Sequence, residues 1–376
     1  MAYNGAGFDY ARAAMPVSAK SSKITTALVT LAAVALSTTS LRSAPAQAQA
    51  AEATNALRFD AALNRAANLP RLHSLLVSHG GELVLEEYFN GADPARPANI
   101  KSVSKSVISA LIGIAIAQGH LEGVDQPIAD FFAEQLGADA GKTRITIEDL
   151  LTMQAGLETT SNRNYGAWVQ SSNWVDFALN QPLHLVPGTV MEYSTGNTHL
   201  LSAILTSVTD LTTLEFARQT LAAPLGFRLL SWPRDPQGIY FGGNDMEMTP
   251  RQMLAFGELY LNDGRADGRQ IVPAQWVQAS LRPRTESRRE AGRFYGYGWW
   301  IRRTAGLQTP YAWGFGGQFI VLVPELDLVV VTTSDSTPTR DARSQRRRIF
   351  NLVEQQVVAP AATVLRRAGS SRGNAG

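Results

Sequence analysis

Two apolar, strand-like stretches stand far apart in this 376-residue chain, and its fold has to bring them together. Near the beginning, "SLLVSHGGELVLEEYFNG" (74–91) alternates about His79-Gly80-Gly81, the pattern of a hairpin closed by a glycine turn. Near the end, "YGYGWWIRR" (295–303) and "GQFIVLVPELDLVVVTTS" (317–334) alternate or run apolar, with a proline-containing turn in the final pair. Strands this rich in Val, Leu and Ile cannot be left single, because their unpaired backbone groups and apolar faces need partners. The expectation is an α+β fold: an antiparallel sheet built from both chain ends, flanked by helices, with a mostly helical lobe inserted.

The intervening sequence has helical character. Ile108, Leu111, Ile112 and Ala115 recur at helical spacing, and Gly119 offers a stop. In "ITIEDLLTMQAGL", Thr146 is placed as an N-cap with Asp149 as its capping-box partner. "NTHLLSAILTSVTD", "TLEFARQTLAAPLGF" and "TPRQMLAFGELYLNDG" are further amphipathic candidates. A closing helix, "ARSQRRRIFNLVEQQVV", puts Ile349, Leu352, Val353 and Val357 on one face, and its Arg346–Arg348 run reads as a solvated face. These patterns divide the chain into an N-terminal arm (51–69), one domain (70–358) and a disordered tail (359–376). Within the domain, the sheet lobe covers about 70–115 and 239–358, and the helical lobe about 116–238.

Residues 1–50 read as a secretory signal peptide. Lys20 and Lys23 precede the apolar run "ALVTLAAVAL" (27–36), and Ala46-Gln47-Ala48 and Ala48-Gln49-Ala50 offer small-residue cleavage sites. Ten apolar residues fall short of the roughly twenty that span a bilayer, so export without a stable membrane anchor is expected, to the periplasm or medium. Met15 is an alternative start. The leader holds four basic residues and one acid, so its removal turns a formal charge of +2 into −1. Nothing in that balance asks for nucleic acid. The chain has no cysteine, which excludes thiolate metal sites and cysteine nucleophiles and leaves an exported fold to rest on its core.

Chemistry-bearing motifs narrow quickly. There is no G-x-S-x-G elbow, no H-E-x-x-H and no P-loop, and the five histidines form no ligand pair, so neither a metal nor a cofactor is expected. Lysine is scarce: beyond residue 50 it occurs only at 101, 105 and 142, in a chain that otherwise uses arginine. Arginine does not deprotonate in proteins, whereas a desolvated lysine can serve as a base. Lys105 follows Ser102 by three residues, which puts both side chains on one helical face at the mouth of an apolar helix. A chain of this length holds about one Ser-x-x-Lys by chance, and the plain alternative is a capped helix with a snorkelling lysine.

Two further motifs bear on that choice. "VPGTVMEYSTGNTHLLSAIL" (186–205) places Tyr193 at a turn–helix junction, where a nearby lysine charge would draw its phenol toward phenolate; its plain reading is a core-edge aromatic. "AWGFGGQFIVLV" (312–323) sets three glycines before an apolar strand, as close backbone approach or a packing bulge requires.

Taken in order, Ser-x-x-Lys, Tyr about ninety residues on, and a glycine-rich opening to a late strand resemble the serine β-lactamase/penicillin-binding-protein superfamily, over roughly residues 70–358. The nearest branch in pattern is the class C β-lactamase-like hydrolases, with "GFGGQ" and "YSTGN" most similar to 6-aminohexanoate-dimer hydrolases and esterases. The resemblance implies Ser102 as acylated nucleophile, Lys105 as its base and Tyr193 as a proton-transfer group. It also implies an oxyanion hole from the N–H groups of Ser102 and Phe315, with Gly314 and Asn197 beside the substrate. The substrate would be a small-molecule ester or amide. Two departures stand out: Tyr-x-Asn is here Tyr193-Ser194-Thr195, with Asn two positions later at Asn197, and the cation of the third motif is replaced by Ala312. The second leans away from β-lactamase or D-alanyl-D-alanine carboxypeptidase activity, which remains the alternative beside a non-catalytic binding member of the fold.

Overall fold

A computed structural model of the chain describes residues 57–370. The signal-peptide reading falls on residues 1–50, outside the described residues. The first hairpin joins β1 (Leu72–His79) to β2 (Glu82–Tyr88). Gly80 and Gly81 both take positive φ, +61° and +82°, as a two-residue turn matched to the strand twist demands.

Six later strands complete one antiparallel sheet: β3 (Thr285–Glu286), β4 (Phe294–Tyr295), β5 (Trp300–Thr304), β6 (Leu307–Gly314), β7 (Gln318–Val323) and β8 (Leu328–Ser334). The order across the sheet is β2-β1-β8-β7-β6-β5-β4-β3. Strand β8 pairs with β1, Val77 opposite Val330, so the two ends of the domain meet within one sheet as the sequence implied. Along β7 and β8 every residue is buried, yet alternate side chains enter different cores. Ile320, Leu322, Val329 and Val331 join one cluster, while Phe319, Val321, Leu328 and Val330 join the other. A period of two with both faces covered explains why these strands read as unbroken apolar runs.

One face carries α1 (Asp60–Ala67), within the expected arm, and the C-terminal helices. The second of these corrects an expectation. Residues 359–370, read as part of a disordered tail, form the helix Ala359–Ser370, with Ala361 and Ala362 buried. A wide turn over Val353–Val358 precedes Pro360, and the buried stripe of Val357, Val358, Ala361 and Ala362 continues past that proline.

The other face carries α2 (Ser104–Ala117), which is not amphipathic: every residue from Ser104 to Ala115 is buried. It lies between the sheet and the inserted helices, touching α3 (Thr195–Thr209) on one side and Trp276 on the other. A β-carbon on Gly113 would lie 2.3 Å from the Trp276 ring, so only glycine lets that indole approach. Among the described residues no single helix is long and apolar enough to cross a membrane.

Candidate active site

The site is built at the entry to α2. Asn99 pairs with Glu247 in a two-residue ladder, and Ile100 N–H donates to Met246 O at 2.9 Å. The backbone then turns sharply: Lys101 has φ +52°, its N–H donating to Asn99 Oδ1 at 3.0 Å. A short 3-10 turn, Lys101–Val103, carries half-buried Ser102 directly into α2. Ser104 Oγ donates back to Lys101 O at 2.8 Å and Ser106 Oγ to Gly298 O at 2.7 Å, so these neighbouring serines serve the backbone. The end of β6 lies against this turn: a β-carbon on Gly314 would come within 2.2 Å of Ile100 O.

Lys105 is 1% exposed. Its Nζ lies 3.1 Å from Ser102 Oγ, 2.5 Å from Gly243 O and 3.4 Å from Thr195 Oγ1, and 5.1 Å from the centre of the Tyr193 ring. Among the described residues no carboxylate forms an ion pair with it. Burial lowers its pKa to about 7, with the more distant Asp245 charge acting in the opposite direction. The amine is therefore partly neutral near pH 7 and lies against a serine hydroxyl.

Tyr193 reverses the sequence-based expectation. Burial pushes its phenol up to about 12, and a hydrogen bond with Ser102 offsets this only in part. Desolvation therefore prevails and the hydroxyl stays protonated. Aromatic packing fixes the ring: Trp300 stacks on it at 5.6 Å and 18°, and Tyr295 meets it edge-on at 6.3 Å.

Thr195, rather than Asn197, reaches the Lys105 amine. Asn197 is buried in the first turn of α3, and its side chain makes no hydrogen bond to Ser102, Lys105 or Tyr193. Thr195 Oγ1 also pairs with Ser161 Oγ at 2.9 Å. The first N–H groups of α3 are capped from across the chain, Thr195 by Ser161 Oγ and Gly196 by Thr160 Oγ1, at 2.9 and 2.8 Å. Sequence reasoning missed Thr160 and Ser161, and no local pattern marked them. It also missed Gly242–Asp245, although a paired glycine was visible. A β-carbon on Gly243 would sit 2.7 Å from Thr195 Cγ2 and 3.0 Å from Lys105 Nζ, so a bare backbone is needed to present that carbonyl.

Phe315, Gly316 and Gly317 connect β6 to β7, the glycines at φ +91° and +118°. The Phe315 side chain is 40% exposed. Ala312 is buried, leaving no cation at that position, while Arg346 lies 4.5 Å over the neighbouring Trp313 ring. Thus of the arginine run Arg347 and Arg348 are exposed, while Arg346 is half-buried. Among the described residues no three His, Asp or Glu side chains gather as metal ligands.

Comparisons with known proteins agree with this architecture. The chain is 27% identical over 301 residues to a 6-aminohexanoate-dimer hydrolase of Paenarthrobacter ureafaciens, covering 72% of this chain and 74% of that one. Its fold matches an octameric penicillin-binding protein homologue from Pyrococcus abyssi with a TM-score of 0.61 at 17% identity, over 77% and 75% of the two chains. It matches a D-stereospecific amidohydrolase from Streptomyces with a TM-score of 0.60 at 13% identity, over 81% and 98%. The family profile described as Beta-lactamase matches residues 73–354, which contain the sheet, the inserted helices and the Ser102–Lys105 turn, and the chain belongs to that beta-lactamase family of hydrolases.

Proposed function

We propose that the protein hydrolyses a small-molecule ester or amide through an acyl-enzyme on Ser102. The observation that carries this reading is the Lys105 amine, fully buried, unpaired with any described carboxylate and 3.1 Å from Ser102 Oγ. Ser102 Oγ attacks the substrate carbonyl carbon while its proton passes to Lys105 Nζ. The oxyanion so formed is held by the N–H groups of Ser102 and Phe315. Collapse breaks the bond to the alcohol or amine, which takes the Tyr193 hydroxyl proton, and the Lys105 ammonium returns a proton to Tyr193. Water then attacks the acyl carbon, giving its proton to Lys105, and the acid leaves as Ser102 recovers that proton.

Ala312 in place of a cation supports ordinary esters or amides over β-lactams, and the 6-aminohexanoate-dimer hydrolase relative supports a linear amide. Export through residues 1–50 is part of the proposal and is checked by the N-terminal sequence of protein recovered from the periplasm or medium. The deciding experiment is fluorophosphonate labelling with mass spectrometry, alongside turnover of p-nitrophenyl acetate, a linear amide and nitrocefin. Label on Ser102 and loss of turnover in Ser102→Ala are expected. Unlabelled protein with ester turnover unchanged in Ser102→Ala would refute the serine mechanism.

A further inference from the structure

We infer that the Lys101–Asp245 ion pair is a positioning device for the reaction, holding the nucleophile turn and the carbonyl that orients Lys105 at a set separation. This rests on the serine reaction proposed above.

Lys101 Nζ lies 2.7 Å from Asp245 Oδ1, and both side chains are largely sheltered, 21% and 23% exposed. Asn99 completes the unit: its Nδ2 donates to the same Oδ1 at 2.8 Å, while its Oδ1 accepts the Lys101 N–H. Both charged residues occupy left-handed backbone, φ +52° at Lys101 and +58° at Asp245, which non-glycine residues adopt uncommonly. Such conformations persist where surrounding contacts over-determine them.

The pair stands beside reacting groups at both ends. Lys101 is the residue before Ser102. Asp245 is two residues after Gly243, whose carbonyl accepts from Lys105 Nζ at 2.5 Å. The strap 243–245 therefore grips the motif twice, through a carbonyl on Lys105 and a carboxylate on Lys101. Loosening the second grip frees the first, and the Ser102–Lys105 hydrogen bond with it. An exposed ion pair would do little here, but this one joins two tight turns whose relative position sets a reactive distance. Its chemistry also accounts for a lysine in an arginine-rich chain. One carboxylate oxygen takes both Lys101 and Asn99, a geometry that suits a point charge better than a two-pronged guanidinium.

The test compares Lys101→Met, Lys101→Gly, Lys101→Arg, Asp245→Asn and the Met/Asn double variant in the full chain. The readouts are fluorophosphonate labelling rate, kcat and KM for p-nitrophenyl acetate, and Tm. Lys101→Met and Asp245→Asn should each slow Ser102 acylation about a hundredfold, the scale of a 1 Å misplacement, in kcat and not in KM. The double variant should be no slower than the slower single variant. Lys101→Gly fits the backbone but lacks the charge and should stay slow, while Lys101→Arg should recover to within about tenfold of wild type. Removing the Asp245 charge should also move the acid limb of kcat/KM to lower pH, because that charge favours the Lys105 ammonium. Wild-type acylation in Lys101→Met or Lys101→Gly, or additive losses in the double variant, would overturn the inference. If Lys101→Met does not fold, Lys101→Gly and Lys101→Arg decide it. Activity retained in Ser102→Ala removes the underlying reaction instead, and so separates the two failures.

Discussion

Replacing Lys105 by arginine keeps a positive side chain of similar length and removes the one property the mechanism needs. Burial brings the wild-type amine down to about 7, so near neutrality about half of it is unprotonated. At an ordinary lysine pKa near 10.4, only about one molecule in 2,500 would be ready at pH 7. A guanidinium, with a pKa above about 12, offers effectively none. General-base assistance contributes about a hundredfold to ten-thousandfold, so Lys105→Arg should slow acylation by about a thousandfold. The assay is the single-turnover labelling rate of Ser102 across pH 5–9. For the wild type it should rise with pH through about 7 and then level, since the neutral amine is the active form. For Lys105→Arg the residual rate should lack that limb. A loss of less than tenfold, or an unchanged limb near pH 7 in the variant, would refute the assignment of Lys105 as base.

The same burial carries a stability consequence. Lys105 binds its proton less tightly folded than unfolded, so between about pH 7 and 10 the unfolded chain holds more protons and stability should rise with pH. Below pH 7 the destabilisation is fully present, about 5 kcal/mol by the size of the shift, and Lys105→Met should raise Tm at pH 6 while abolishing acylation; an unchanged or lower Tm contradicts this. Tyr193→Phe should reduce amide turnover about a hundredfold or more but p-nitrophenyl ester turnover much less, because a good leaving group needs no proton. Equal losses on both substrates would count against Tyr193 as proton donor. Gly314→Ala drives a β-carbon to 2.2 Å from the Ile100 backbone carbonyl, which cannot swing aside, and should lose labelling together with several degrees of Tm. A wild-type melt and rate would show that β6 does not bear on the nucleophile turn.

Much of the site could be read locally. Ser102 and Lys105 share a helical face because three residues separate them, and no tertiary information is needed to see that. The capping box at Thr146 and Asp149 formed as its residues dictate, and so did the glycine turn at Gly80–Gly81. The rest depends on distant groups. Thr160 and Ser161, from another segment, cap the start of α3, and there Thr195 reaches the Lys105 amine. Residues 359–370 read as part of a disordered tail, yet buried contacts there sustain a further helix.

Residue order by itself determined the class of fold and the adjacency of Ser102 and Lys105, because strand alternation and the i, i+3 relation are properties of neighbours along the chain. Tertiary structure alone decided their protonation. Burial draws Lys105 toward the neutral amine and keeps the proton on Tyr193, because groups from α3, β5 and the Gly242–Asp245 strap pack around both. Desolvation acts through everything packed around a charge, and no spacing within a motif encodes it.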